Sequence, residues 1–219
     1  MIRFEEELAQ LQNYLLEMAG LVKSAIHKSM QCLLDRDESL IPDVLANEDR
    51  INKLEIRIDS LATRLVALNQ PVAVDMRLII AALKINTDLE RMGDLAVSIV
   101  YRAGDLIRMP PLEPMPPVAA EATLVEAMVE NSITAFVDRD ADLAQQVLLS
   151  DDKVDSLRND IYETLASKME ADGSAVRRAL LLVVIARSLE RIADHATNIA
   201  EDIIFLVRAV DVRHHNEHV

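Results

Sequence analysis

Leu89-Glu90-Arg91-Met92-Gly93-Asp94 is written a second time, 100 positions on, as Leu189-Glu190-Arg191-Ile192-Ala193-Asp194. Two earlier blocks echo at an offset of 103. Leu34-Asp35-Arg36-Asp37 returns as Val137-Asp138-Arg139-Asp140, and Asn47-Glu48-Asp49-Arg50-Ile51-Asn52 returns as Ser150-Asp151-Asp152-Lys153-Val154-Asp155. The three-residue difference falls at a turn: Asn69-Gln70-Pro71 in the first copy, Ala171-Asp172-Gly173 in the second. A length change confined to a turn is what a duplicated helical hairpin tolerates. Between the copies runs Met109–Val118, MPPLEPMPPV, whose five prolines stop any helix. The boundary is placed near Glu113, giving halves 1–112 and 113–219.

Within each half the apolar period is helical. Leu78, Ala82, Ile85, Leu89, Met92, Ala96, Ile99 and Ala103 alternate at spacings of four and three, and Leu182, Ile185, Leu189, Ile192, Ala196, Ile199 and Ile203 repeat the pattern. Ile51, Leu54, Ile58, Leu61, Leu65 and Leu68 form the same seam one helix earlier. The fold class is therefore all-α: two tandem antiparallel three-helix bundles, six helices over roughly 4–36, 38–69, 72–108, 119–138, 141–170 and 174–209. Pro42 suits a first helical turn, and the Asp37/Ser39 region suits a cap.

Composition agrees. Residues are 51% hydrophobic, yet there are three Phe, three Tyr and no Trp, so the core must be aliphatic. Four glycines are too few for the turns and bulges of a β-protein. A formal net charge of −14 argues against binding to nucleic acid or directly to anionic membranes. Cys32, the single cysteine, excludes an internal disulfide, fits a reducing cytoplasm and reads as a core filler. The start MIRFEEELAQ lacks the uncharged apolar run of a signal peptide. The longest apolar run, Ala179–Ala186, is too short to span a bilayer.

The chemistry lies in four acidic turns: Glu48-x-x-x-Asn52, Glu90-x-x-x-Asp94, Asp151-x-x-x-Asp155 and Glu190-x-x-x-Asp194. A separation of four puts both side chains on one helix face. Each pair sits one residue beyond a seam residue, at the shoulder of the helix. In the first half the two turns lie equally far in sequence from the hairpin centre, and the second half repeats this. Antiparallel helices then bring them level, roughly 30 Å from the turn. Gathered carboxylates repel, so arginines (Arg50, Arg91, Arg191) or bound cations should compensate. Oxygen clusters suit hard ions such as Mg²⁺, Mn²⁺, Ca²⁺ or Fe³⁺. The second half is the better provisioned: its stripe runs on through Asn198 to Glu201 and Asp202, whereas the first has Asn52 in place of an acid. The stronger site is expected there. The alternative is four solvated acidic faces that hold no ion.

The stretches DMRLIIAALKINTDLERMGD (Asp75–Asp94) and IARSLERIADHATNIAE (Ile185–Glu201) resemble the PhoU family, and the resemblance covers both halves. It implies paired three-helix bundles, often as a homodimer, with acidic motifs that hold multinuclear metal clusters. Iron is favoured, with zinc, manganese, magnesium or calcium as the other candidates. It implies negative control of phosphate uptake and of the phosphate regulon. The partners it implies are the phosphate ABC-transporter ATPase and a membrane-bound sensor histidine kinase, so that the membrane is met only through them. Carried over by position, the metal residues are Glu48, Glu90, Asp94, Asp151, Asp155, Glu190 and Asp194. Asp49 and Asp152 flank them, Asn52 breaks the pattern, and Asn198 and Glu201 match the second-copy motif.

A non-catalytic cytoplasmic regulator is the leading reading. The chain has no phosphate-cradling glycine loop and no nucleophile–base motif. The alternative is a carboxylate-bridged oxidase or hydrolase on a helical bundle, but the Glu-x-x-His pairs of di-iron bundles are missing. His195 points about 100° away from Asp194 and reads as a packing or surface contact. His214, His215 and His218 fall in a polar C-terminal tail.

Overall fold

A computed structural model of the chain describes residues 2–210, with side chains from Phe4 onward. His214, His215 and His218 lie outside the described residues. Helices α1 (Ile2–Asp35), α2 (Ile41–Asn69) and α3 (Ala73–Ile107) form the first bundle. Helices α4 (Val118–Asp138), α5 (Ala141–Leu148), α6 (Asp151–Ala171) and α7 (Val176–Arg208) form the second. Short 3₁₀ turns precede α2 and α7. The seam residues read from the sequence are buried, except Leu68, which is exposed at the hairpin end. Pro42 lies in the first turn of α2, Asp37 caps the preceding 3₁₀ turn through the Ser39 amide, and Cys32 is buried.

The helix expected over 141–170 is interrupted at Leu149–Ser150, so its place is taken by α5 and α6. The Ser150 hydroxyl donates to the Gln146 carbonyl at 2.9 Å, while the Ser150 amide turns to Val147 at 3.0 Å. A side chain that takes the i−4 carbonyl tightens the backbone to an i−3 turn. The counterpart in the first half, Asn47, instead sends its amide to Ser24 at 3.2 Å, and α2 runs unbroken.

The central helices carry a second buried stripe that a single seam does not predict. Ala81 and Leu95 on α3, and Ala186, Ala193 and Ala200 on α7, are buried beside the main seams. With them the two bundles pack α3 against α7 and α1 against α4. Lys84 pairs with Asp202, and Asp88 with His195, so α3 and α7 run antiparallel. Lys23–Glu130 and His27–Glu126 join α1 to α4 in the same sense. Within the first bundle the small Gly93 lets α3 approach α2: a Cβ there would stand 3.1 Å from Ile51 Cδ1.

The proline-rich linker keeps its carbonyls but lacks many amides, leaving acceptors in excess. Basic side chains supply donors. Arg36 donates to Ile107 and Met109, Arg178 to Pro111, and Lys168 to Glu113. Among the described residues no helix is long and apolar enough to cross a membrane.

Asp140 caps α5, its Oδ1 accepting from the amides of Asp142 and Leu143 at 2.9 Å. Asp140→Ala should cost about 1 kcal/mol of unfolding free energy in a urea titration, the usual weight of a lost cap.

Candidate functional site

In the first half Glu48 and Glu55 on α2 stand near Glu90 on α3, which Asp94 follows one turn later. The Asn52 amide donates to Glu48 Oε1 at 2.6 Å, so this break in the acidic pattern orients an acid. Burial pushes the Glu90 carboxyl above its ordinary range; Asp94 adds to this, Arg91 opposes it, and Glu55 and Glu48 raise it further from across the hairpin. Arg91 reaches Glu90 at 3.4 Å and Asp94 at 3.8 Å from an exposed position.

In the second half Asp151 and Asp155 on α6 stand near Glu190 and Asp194 on α7, while Asp152 is exposed and adds its charge to Asp151 from the same helix. Burial pushes Asp151 up to about 6, helped by the charges of Asp194, Asp155, Asp152 and Glu190. Asp194 is also raised, chiefly by burial, with Asp155 adding and His195, Arg158 and Arg191 opposing. In both halves, then, carboxylates from adjacent helices stand close enough to disfavour one another's ionisation. Among the described residues no group of three or more His, Cys, Asp or Glu side chains is already arranged to hold a metal ion.

Three residues of the wider set lie elsewhere. Asp49 turns outward to pair with Lys53 one turn along. Asn198 does not extend the second-half stripe: its amide reaches Asp88 on α3 at 3.3 Å. Glu201 lines an open groove of about 330 Å³ between the bundles, with Lys84, Thr87, Asp88, Asn198 and Asp202. The α3–α7 packing turns that face of α7 toward the other half, which a one-bundle reading does not foresee. His195 makes a contact rather than joining the acids, its Nδ1 2.8 Å from Asp88.

Two further residues belong to this region although the acidic spacing does not point to them. Arg158 Nη1 donates to Glu190 at 2.6 Å and lies 2.9 Å from Asp155, bridging α6 and α7 inside the second cluster. Glu121 on α4 is 0% exposed, and neither carboxyl oxygen has a hydrogen-bond partner. Burial pushes it up to about 8, against the nearby Arg158 charge, and Glu190 raises it further. The signal in the sequence was an acid at a buried period of α4, beside Val118, Ala122, Val125 and Val129.

Comparison with known proteins supplies the family. The PhoU domain matches at residues 15–103 and again at 119–203. The chain is 39% identical over 217 residues to a protein of Pseudomonas aeruginosa named phosphate-specific transport system accessory protein PhoU homolog, covering 97% of this chain and 88% of that one. It is 37% identical to the Aquifex aeolicus protein of the same name, covering 95% of each. The crystal structure of PhoU from P. aeruginosa superposes with a TM-score of 0.89 at 38% identity, covering 94% of this chain and all of that one. The fold is shared with the phosphate transport system regulatory protein PhoU of Streptococcus pneumoniae, at a TM-score of 0.87 and 24% identity, covering 95% of this chain and 99% of that one.

The state of Glu121 has a pH signature. The folded chain keeps this proton to about pH 8, whereas the unfolded chain releases it near 4.5. Between those limits the folded state binds more protons, so stability falls as pH rises. Glu121→Gln removes that component and leaves the same-signed slopes of Asp151, Glu90 and Asp194. In denaturant titrations from about pH 5 to about pH 8.5, the unsubstituted chain should lose roughly 2–4 kcal/mol more than Glu121→Gln.

Proposed function

The chain belongs to the PhoU family, whose members act as accessory and regulatory proteins of phosphate transport, and we propose that it is a non-catalytic negative regulator of phosphate uptake and phosphate-regulon signalling. It works by binding the ATPase of the phosphate transporter and the sensor histidine kinase of the phosphate two-component system. It does so in the cytoplasm, as a homodimer, reaching the membrane through these partners. The observation that carries the reading is the family match in both halves, at residues that include all four acidic turns.

Cations enter this reading through the donor set. Glu48, Glu90 and Asp94 offer carboxylate oxygens from two helices, with Asn52 orienting Glu48 and Glu55 close by. This chemistry fits a hard ion, iron first by family likeness. Such an ion would offset both the loss of solvation on burial and the repulsion from neighbouring acids that raise the Glu90 carboxyl. Asp151, Asp155, Glu190 and Asp194 are the corresponding set in the second half, where Arg158 alters the charge balance.

Deleting the gene should switch on phosphate-starvation genes in phosphate-rich medium, read as transcript levels, and the intact gene should restore repression. Transcripts at the parental level in the deletion strain contradict the regulatory assignment.

A further inference from the structure

The two halves share a register, and against it two changes occur together. At the offset of 103, Ser29 and Ser132 correspond, each buried and each donating its hydroxyl to the carbonyl three residues back. At that same offset Met18, fully buried in α1, becomes Glu121, fully buried in α4. Glu55, beside Glu90 in the first half, becomes Arg158 in the second. The second bundle has thus replaced an apolar core residue with a carboxyl and a cluster acid with a guanidinium. The Arg158 charge acts on Glu121, Asp194 and Tyr162 alike.

We propose that Arg158 is a counter-ion built into the second acidic cluster: its guanidinium holds the place between α6 and α7 that a metal would need, so metal loads the first half and not the second. The inference rests on the cation reading above and divides it between the halves. One nitrogen, Nη1, spans a carboxylate from each helix, Asp155 at 2.9 Å and Glu190 at 2.6 Å. A cation recruited by both motifs would need these same two carboxylates, and Arg158 already occupies them. The side chains of Arg158 and Glu190 are only 21% and 22% exposed, so the pair is weakly screened. The arginine available to the first cluster is placed differently. Arg91 is 56% exposed and stands 3.4 Å and 3.8 Å from its acids, close to solvent and readily displaced. The exchange of Glu55 for Arg158 adds two positive charges and that of Asn52 for Asp155 one negative, so the second cluster is more positive than the first by one charge. An incoming dication would have to displace Arg158 from both carboxylates while the guanidinium stayed nearby. The buried Glu121 is near enough to feel the Arg158 charge but makes no hydrogen bond to it, so the guanidinium is held by Asp155 and Glu190. This reverses the expectation that the second half holds the stronger site.

The test is manganese binding by the full chain, stripped with chelator and titrated with Mn²⁺ under electron paramagnetic resonance, which counts free ion. The unsubstituted chain should bind manganese that Glu90→Gln/Asp94→Asn removes and Glu190→Gln/Asp194→Asn leaves unchanged. Arg158→Gln should gain about one further ion per chain, and adding Glu190→Gln/Asp194→Asn should abolish the gain. Arg158→Lys, which keeps a cation, should gain none. If Arg158→Gln folds poorly by circular dichroism, the same count is made on Arg158→Gln/Glu121→Gln, which also removes the buried acid. No gain in a folded Arg158→Gln chain overturns the proposal, as does manganese in the unsubstituted chain that depends on Glu190 and Asp194. If the unsubstituted chain binds none but Arg158→Gln does, the first-half assignment fails while the role of Arg158 stands.

Discussion

The structure depends on one constraint: aliphatic seams fix the phase and level of antiparallel helices, and so force acidic turns to face each other. Ile51, Leu89, Val154 and Leu189 are buried completely or nearly so. Each has an acid or its amide analogue as the next residue. Burial of the first residue swings the second to the edge of the helix–helix junction, where its charge is half desolvated. The carboxyls of Glu90, Asp151 and Asp194 are raised chiefly by burial and further by neighbouring acids, a cost the fold tolerates. A bundle with so much buried aliphatic surface can carry several unfavourable carboxylates, because each is a small fraction of the burial term.

The halves answer the repulsion by different means. The first keeps its acids near one another, with an amide from Asn52 and a peripheral arginine. The second inserts a partly buried arginine between the helices, with the buried carboxyl of Glu121 near enough to feel its charge. A duplicated fold permits such divergence, since one copy can change while the other retains the original electrostatics. The break at Ser150 belongs to the same half and makes Asp151 the first residue of α6, where the positive helix end favours a negative charge.

Much of this was legible in the sequence because it follows from period and register. The repeat, the proline linker, the hairpins and the facing acidic turns needed only spacing. The residues that escaped are those whose role is set by a third element. Asn198 and Glu201 lie one and two turns beyond Asp194, yet packing of α3 on α7 gives them Asp88 and Lys84 as surroundings. Ser150 breaks a helix through a side-chain hydrogen bond that helix propensity does not encode. Arg158 was invisible to a search for acids, although the repeat register placed it opposite Glu55. A cation in an acidic motif is as informative as the acids themselves.

The most direct test of the charge contact across the helices is a double-mutant cycle between Arg158 and Glu190, using Arg158→Met, Glu190→Gln and the double variant, by urea unfolding in chelated buffer. A bridge as short and shielded as this one should give a coupling of about 1.5–3 kcal/mol, above the range of exposed ion pairs. A coupling within about 0.3 kcal/mol of zero would contradict the account, because the facing turns would then not be in energetic contact.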